Sequence, residues 1–166
     1  LAIGSDGVNE TLYYREDEKS DFKPVISNNF KNALKPLGFT NQKNHIYALS
    51  NLNRDKLALV EFDCGSGKEI KVIYENLDAD VSDVVYSKSS QTLAYLTYEI
   101  SKREIHFLNN QVKQMAEEVR KQVPNQEIKI IDKDENESRF IVRTYTDKNP
   151  GSTYLYTVAN KSLLKL

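Results

Sequence analysis

The 166-residue sequence has no tryptophan, one methionine, one cysteine and two histidines. Without Trp and with a single Met, a core has to be assembled from aliphatic side chains, Phe and Tyr. The lone thiol, Cys64, cannot close an internal disulfide or take part in a multi-cysteine zinc site, so it reads as a buried or turn-located thiol. No run approaches the ~18 consecutive apolar residues of a membrane-spanning helix. The N-terminus, Leu1-Ala2-Ile3-Gly4-Ser5-Asp6, turns polar too early for a secretory signal and lacks an initiator Met, as expected of a piece trimmed from a longer chain. An excess of charge of one sign is also missing: 23 basic and 24 acidic residues leave a net charge of -1. That balance removes the electrostatic reason to expect a nucleic acid or an anionic membrane as partner.

What is present points to sheets. Apolar residues make up 39% of the chain, and Tyr outnumbers Phe by 10 to 6. Tyrosine suits the half-buried face of a sheet, where the ring packs and the hydroxyl stays wet. The strand-like run Thr11-Leu12-Tyr13-Tyr14 returns 47 residues later around Val60, again around Phe107, and a third time around Tyr154. A second series keeps the same step. Gly38-Phe39-Thr40, a polar turn over 41–44 and a strand over 45–50 match Val85-Tyr86-Ser87, a turn over 88–91 and a strand over 92–97. Near the C-terminus the pattern reappears as a strand over 128–131, a turn over 132–138 and a strand over 139–145. A last strand of each unit is read over 22–26, 69–74 and 161–166.

Four strands in a period near 45 residues is the signature of a propeller blade. The expected fold is therefore all-β: a partial β-propeller of about three blades of four-stranded antiparallel sheet. The chain is expected to be a single propeller fragment over 1–166, with blade units at 1–34 (partial), 35–76, 82–124 and 127–166. Turn chemistry agrees, because Cys64-Gly65-Ser66-Gly67 and Asn149-Pro150-Gly151 supply the residues hairpins need. A plain β-sandwich also spaces its strands regularly, but one offset holding across four copies favours the propeller.

One stretch breaks the β pattern. Val112, Met115, Ala116, Val119 and Val123 recur at steps of three and four, which predicts an amphipathic helix over about 111–123. Asn110 is its expected cap and Pro124 its stop. It stands where the third unit should have its outermost strand, so it reads as a replacement that would cover an otherwise bare sheet edge. The same stripe is also a candidate partner-binding face.

Motifs that carry chemistry are weak or incomplete. Gly65-Ser66-Gly67-Lys68 resembles the end of a phosphate-binding loop, but Phe62 and Glu69 stand where that motif needs Gly and Ser or Thr. It reads as a hairpin turn. Asp132-Lys133-Asp134-Glu135-Asn136 opens like a calcium loop, yet Glu137 and Arg143 replace the required Gly and Glu, so it reads as a solvated acidic turn. His45 and His106 each sit in a predicted strand without a second His at ligand spacing, and there is no Gly-x-Ser-x-Gly elbow. The triplets starting at Asn9, Asn136 and Asn160 fit the glycosylation pattern, which arises easily in a chain this rich in Asn. No catalytic, cofactor-binding or metal-ligating residue is assigned, and no cofactor is expected.

The last third carries a sharper pattern: strand, amphipathic helix ending in Pro124, strand over 127–131, acidic turn, then Phe140-Ile141-Val142-Arg143-Thr144-Tyr145-Thr146-Asp147-Lys148-Asn149-Pro150-Gly151-Ser152-Thr153-Tyr154-Leu155-Tyr156. This resembles the late propeller of bacterial prolyl oligopeptidase-family (S9) serine peptidases, of the acylaminoacyl-peptidase and dipeptidyl-peptidase-like branch. In that family a helical stretch precedes an Asp-x-Asp-Pro-Gly run followed by aromatic-Leu-Tyr; Asn149 stands where the second Asp is usual. Pro36-Leu37-Gly38-Phe39 and Leu77-Asp78-Ala79-Asp80-Val81-Ser82 are similar to the same propeller, though the resemblance is specific only from about Glu104 onward.

The resemblance implies a non-catalytic propeller fragment that acts as lid and substrate-size filter over an α/β-hydrolase domain lying outside this chain. The chain is then no enzyme by itself, while its parent is a serine peptidase, a hydrolase of peptides. The implied partners are that hydrolase domain and the parent's peptide substrate, in a bacterial cytoplasm or periplasm. The alternative is an independent propeller binding module of the TolB or WD-repeat kind. About three blades cannot close a ring of four to eight, so self-association of the fragment is also expected.

Overall fold

The computed structural model describes residues 1–29, 31–87, 89, 90 and 92–166. Every strand lies in one of four antiparallel sheets, and each sheet is a meander of consecutive strands. The first contains β1 (Ala2–Ser5), β2 (Asn9–Tyr14) and β3 (Lys23–Asn29). The second contains β4 (Leu34–Phe39), β5 (His45–Ser50), β6 (Ala58–Asp63) and β7 (Lys68–Tyr74). The third contains β8 (Val81–Ser87), β9 (Thr92–Glu99) and β10 (Arg103–Phe107), followed by α1 (Asn110–Gln122). The fourth contains β11 (Glu127–Lys133), β12 (Arg139–Tyr145), β13 (Ser152–Thr157) and β14 (Ser162–Lys165). The fold is all-β with one helix, as the repeat predicts. The four recurrent runs fall on β2, β6, β10 and β13. Of the turn expected over 88–91, Lys88 and Gln91 lie outside the described residues.

Alternation of side chains explains the strands. In β12, Phe140, Val142 and Thr144 are buried while Arg139 and Arg143 are exposed, which is the period of two that a half-buried strand requires. Register places Phe140 opposite Tyr156 and Val142 opposite Tyr154. Ile46 pairs with Phe62 and Ala48 with Val60 in the second sheet. Two strand prolines sit where a missing N–H is tolerated. Pro24 and Pro36 lie in the edge strands β3 and β4, each beside a shift in register.

The chain divides into two compact units. Leu1–Asp83 with Thr97–Glu104 forms one. Its core includes Leu12, Ile46, Val60, Phe62 and the thiol of Cys64. Val84–Leu96 with Ile105–Leu166 forms the other. Its core gathers Ala94 and Tyr95 from β9, the α1 stripe, and Phe140, Val142 and Tyr156 from β12 and β13.

The helix stands after β10, where the second and fourth sheets have their fourth strand. Its stripe of Val112, Met115, Ala116 and Val119 is buried in the second core. Full burial of one such Val stabilises by about 1.5–3 kcal/mol. The cap is Asn109, one residue before the expected Asn110: its side chain accepts hydrogen bonds from the backbone N–H of Gln111 and Val112. The reason is an anchor to β9. Leu108 and Asn109 both donate their backbone N–H to the Ala94 carbonyl, and Asn109 stays extended at φ -118, ψ 127. Helical dihedrals therefore begin only at Asn110. At the other end Arg120 and Lys121 occupy the last turn, where a positive charge complements the helix dipole.

Candidate functional site

The second unit contains a cleft of about 840 Å³, within the range of small-ligand pockets. Four parts of the chain build it: Ser89 between β8 and β9, the first three turns of α1, the β11–β12 turn with the start of β12, and the end of β13 with the turn that follows. Its floor is apolar, made by Val112, Met115, Phe140 and Tyr156, all buried. Around it stand the polar residues Gln111, Gln114, Glu118, Asn136, Ser138 and Lys161, with Val158 and Ala159 as exposed apolar neighbours.

A hydroxyl–carboxylate network reaches the cleft through Ser89 and Glu137. The Glu137 side chain is 8% exposed. Its Oε2 accepts hydrogen bonds from Ser87 Oγ at 2.6 Å and Ser89 Oγ at 2.9 Å, and its Oε1 accepts from Lys133 Nζ. Lys133 Nζ also donates to the Tyr86 carbonyl at 2.9 Å. Ser90 Oγ donates to Ser87 Oγ at 2.7 Å and accepts from Asn109 Nδ2 at 3.1 Å, which ties the helix cap to the same network. Burial pushes the Glu137 carboxyl up, but the donors Lys133, Ser87 and Ser89 together outweigh it and hold the group below its usual value. Glu137 is thus an ionised, fully engaged carboxylate. Its backbone lies at φ 55, a conformation rarely adopted by residues with a side chain.

The other charges near the cleft are also engaged. Glu118 accepts from Lys121 at 2.7 Å and lies 3.9 Å from Lys161. Tyr156 differs: the residue is 2% exposed, and its hydroxyl has no hydrogen-bond partner among the described residues. No fully buried side-chain oxygen or nitrogen among these residues lacks a partner, so the Tyr156 oxygen is not fully buried, and the residue that carries it lines the cleft. Burial, and secondarily the charge of Glu118, pushes the phenol above its usual value and keeps it protonated.

A smaller pocket of about 320 Å³ in the first unit is more polar. Its phenol, Tyr14, already donates to Asn44 Oδ1 at 2.7 Å.

The motif residues are spread over both units. Gly65-Ser66-Gly67 forms the β6–β7 turn, in which Asp63 accepts from the N–H groups of Gly65 and Ser66. His45 in β5 pairs through Nδ1 with Glu61 Oε1 at 2.6 Å, and His106 lies in β10 of the other unit. The acidic turn is held by Asp134, which accepts from the N–H groups of Ser138 and Arg139. Among the described residues no three His, Cys, Asp or Glu side chains gather as a metal site, and no helix is long and apolar enough to cross a membrane. Sequence reasoning missed the cleft altogether. Its only sequence signal is the alternation that turns Phe140 and Tyr156 to the same face as the α1 stripe.

No family model matches the sequence, and no curated protein matches it. One solved structure, from a structural and mechanistic study of two prolyl endopeptidases and the role of inter-domain dynamics in their catalysis and specificity, is similar over 96% of this chain with a TM-score of 0.50 and 14% identity. This chain spans 23% of that chain. At that identity the likeness concerns the fold alone: a propeller-like run of antiparallel sheets.

Proposed function

We propose that this chain is a propeller segment of a serine peptidase of the prolyl oligopeptidase family, serving as lid and size filter over an α/β-hydrolase domain that lies elsewhere in the parent protein. The observation that carries the reading is the third blade unit: a three-stranded sheet whose fourth strand is replaced by α1, inside a register of 47 residues. The fold likeness to a prolyl endopeptidase structure supports it. The Asn149-Pro150-Gly151 turn before β13, with the Tyr154-Leu155-Tyr156 run that follows, supports the acylaminoacyl-peptidase-like branch. On this reading the four sheets are the blade units. The chain contributes no reacting group; it restricts which peptides reach the hydrolase.

The test uses the parent protein and peptides of graded length that share one cleavable bond. A lid and filter predicts turnover of short peptides and a fall in kcat/KM as length increases. Equal turnover of short peptides and an unfolded protein carrying the same bond would overturn it.

We also propose that the 166-residue chain pairs with itself. The outer strands β1 and β14 each have one strand neighbour, and Ile3, Leu164 and Leu166 on or beside them are more than half exposed. Light scattering at high concentration should give a dimer; a monodisperse monomer would contradict it.

A further inference from the structure

The geometry points to a second function of this chain, independent of any hydrolase: the cleft floored by Val112, Met115, Phe140 and Tyr156 is a binding site for a neutral, mostly apolar small molecule that presents one hydrogen-bond acceptor to the Tyr156 hydroxyl. Three observations select that ligand class. The first is size and lining. A cleft of about 840 Å³ with four buried apolar side chains on its floor has the dimensions and character of a drug-sized ligand site.

The second is charge. The carboxylates that reach the cleft are already matched, Glu137 by Lys133 and two serines, Glu118 by Lys121 and Lys161. A cationic ligand would find no uncommitted carboxylate, and an anionic one would meet only Lys161, a solvated lysine 66% exposed that already shares Glu118 with Lys121, so neither recovers the hydration it loses. The site therefore discriminates in favour of neutral molecules.

The third is the phenol. A side chain 98% withdrawn from solvent normally finds a partner for its polar end, and Tyr156 has none among the described residues while its oxygen is not fully buried. A protonated phenol beside Glu118 is a donor first, so the complementary ligand atom is an acceptor such as a carbonyl oxygen. Nothing in the ion-pair and serine network needs this hydroxyl. Phenylalanine would satisfy the packing of the core equally well.

The experiment exploits Met115, the chain's single methionine and part of the cleft floor. In the 166-residue chain labelled with 13C-methyl methionine, the Met115 methyl resonance is followed during titration with acetophenone. A saturable shift is expected. Tyr156→Phe should weaken the apparent affinity by about 2- to 12-fold, the loss for one neutral hydrogen bond. α-Methylstyrene has the same shape without the acceptor, and it should bind the unaltered chain with a similar deficit. This comparison needs no variant and decides the matter even if Tyr156→Phe fails to fold. Benzoate should bind more weakly than acetophenone. The proposal is overturned if the methyl resonance shows no saturable shift, if acetophenone and α-methylstyrene bind alike, or if benzoate binds more tightly than the ketone.

Discussion

Ser87 and Glu137 are 50 residues apart in sequence, yet their side chains meet at 2.6 Å, joining the end of β8 to the β11–β12 turn. Both groups are withdrawn from water, Ser87 completely. Removing the Ser87 hydroxyl takes one of three donors from a buried carboxylate, and a hydrogen bond to a charged group contributes about 1.5–3 kcal/mol. Ser87→Ala should destabilise the chain by about 1–3 kcal/mol in urea unfolding. A change within 0.5 kcal/mol, the ordinary range for surface substitutions, would mean that the network contributes little.

The same carboxylate makes stability depend on pH. Glu137 titrates in the folded chain below the unfolded value near 4.5. Its contribution is therefore complete above that value and is lost as pH falls through the lower, folded value. The unfolding free energy should decline across this acidic window, and Glu137→Gln should flatten the decline while lowering stability at neutral pH. A variant whose acid profile parallels that of the unaltered chain would contradict the assignment.

Gly151 is fixed by space as well as by conformation. Its φ is 80, and a Cβ there would lie 1.4 Å from the Thr144 carbonyl oxygen. Because that neighbour is backbone, Gly151→Ala should cost about 3 kcal/mol or more, at the severe end of single substitutions. Gly38, beside the β4 bulge, has nothing within 4 Å of the same position. Gly38→Ala should change stability by less than about 0.5 kcal/mol, and thermal unfolding of the two variants gives the contrast directly.

Arg54 clamps the second sheet. Its two terminal nitrogens reach Glu69 at 2.9 and 2.6 Å, and Glu75 lies 3.7 Å from Nε. A lysine offers one point charge in place of this fork. Arg54→Lys should lose most of what Arg54→Ala loses, about 1–3 kcal/mol in denaturant unfolding. Full retention of stability in the lysine variant would show that charge alone is enough.

Cys64 is 5% exposed, and burial pushes its thiol up to about 11 from 9.0. Only the thiolate reacts, and its fraction at pH 8 falls about 100-fold; the greater nucleophilicity of the more basic thiolate restores part of that, so native Cys64 should react about 10-fold more slowly than the unfolded chain with a disulfide reagent, before any steric protection is added. The absorbance change in 6 M urea against buffer measures it.

The 47-residue register was readable because β2, β6, β10 and β13 each carry a compact apolar-aromatic run. The helix was readable because its stripe is spaced at three and four. Strand β1 was not: Ala2, Gly4 and Ser5 give it no apolar alternation, and its existence depends on pairing with β2. The cap shifted by one because either of two adjacent asparagines can cap, and a backbone anchor to Ala94 decides between them. The cleft was invisible for a different reason. Met115, Glu137 and Tyr156 come from a helix, a turn and a strand, and only packing shows that one phenol has no hydrogen-bond partner among the described residues.

The central claim, that this chain is the propeller part of a prolyl oligopeptidase-family peptidase, is tested most directly by reading the parent gene beyond the codon for Leu166. The account predicts a Gly-x-Ser-x-Gly elbow followed by Asp and His within about 250 residues, the span of one such domain. A stop codon there, with no hydrolase encoded, would contradict it and leave a free-standing propeller-type binding module.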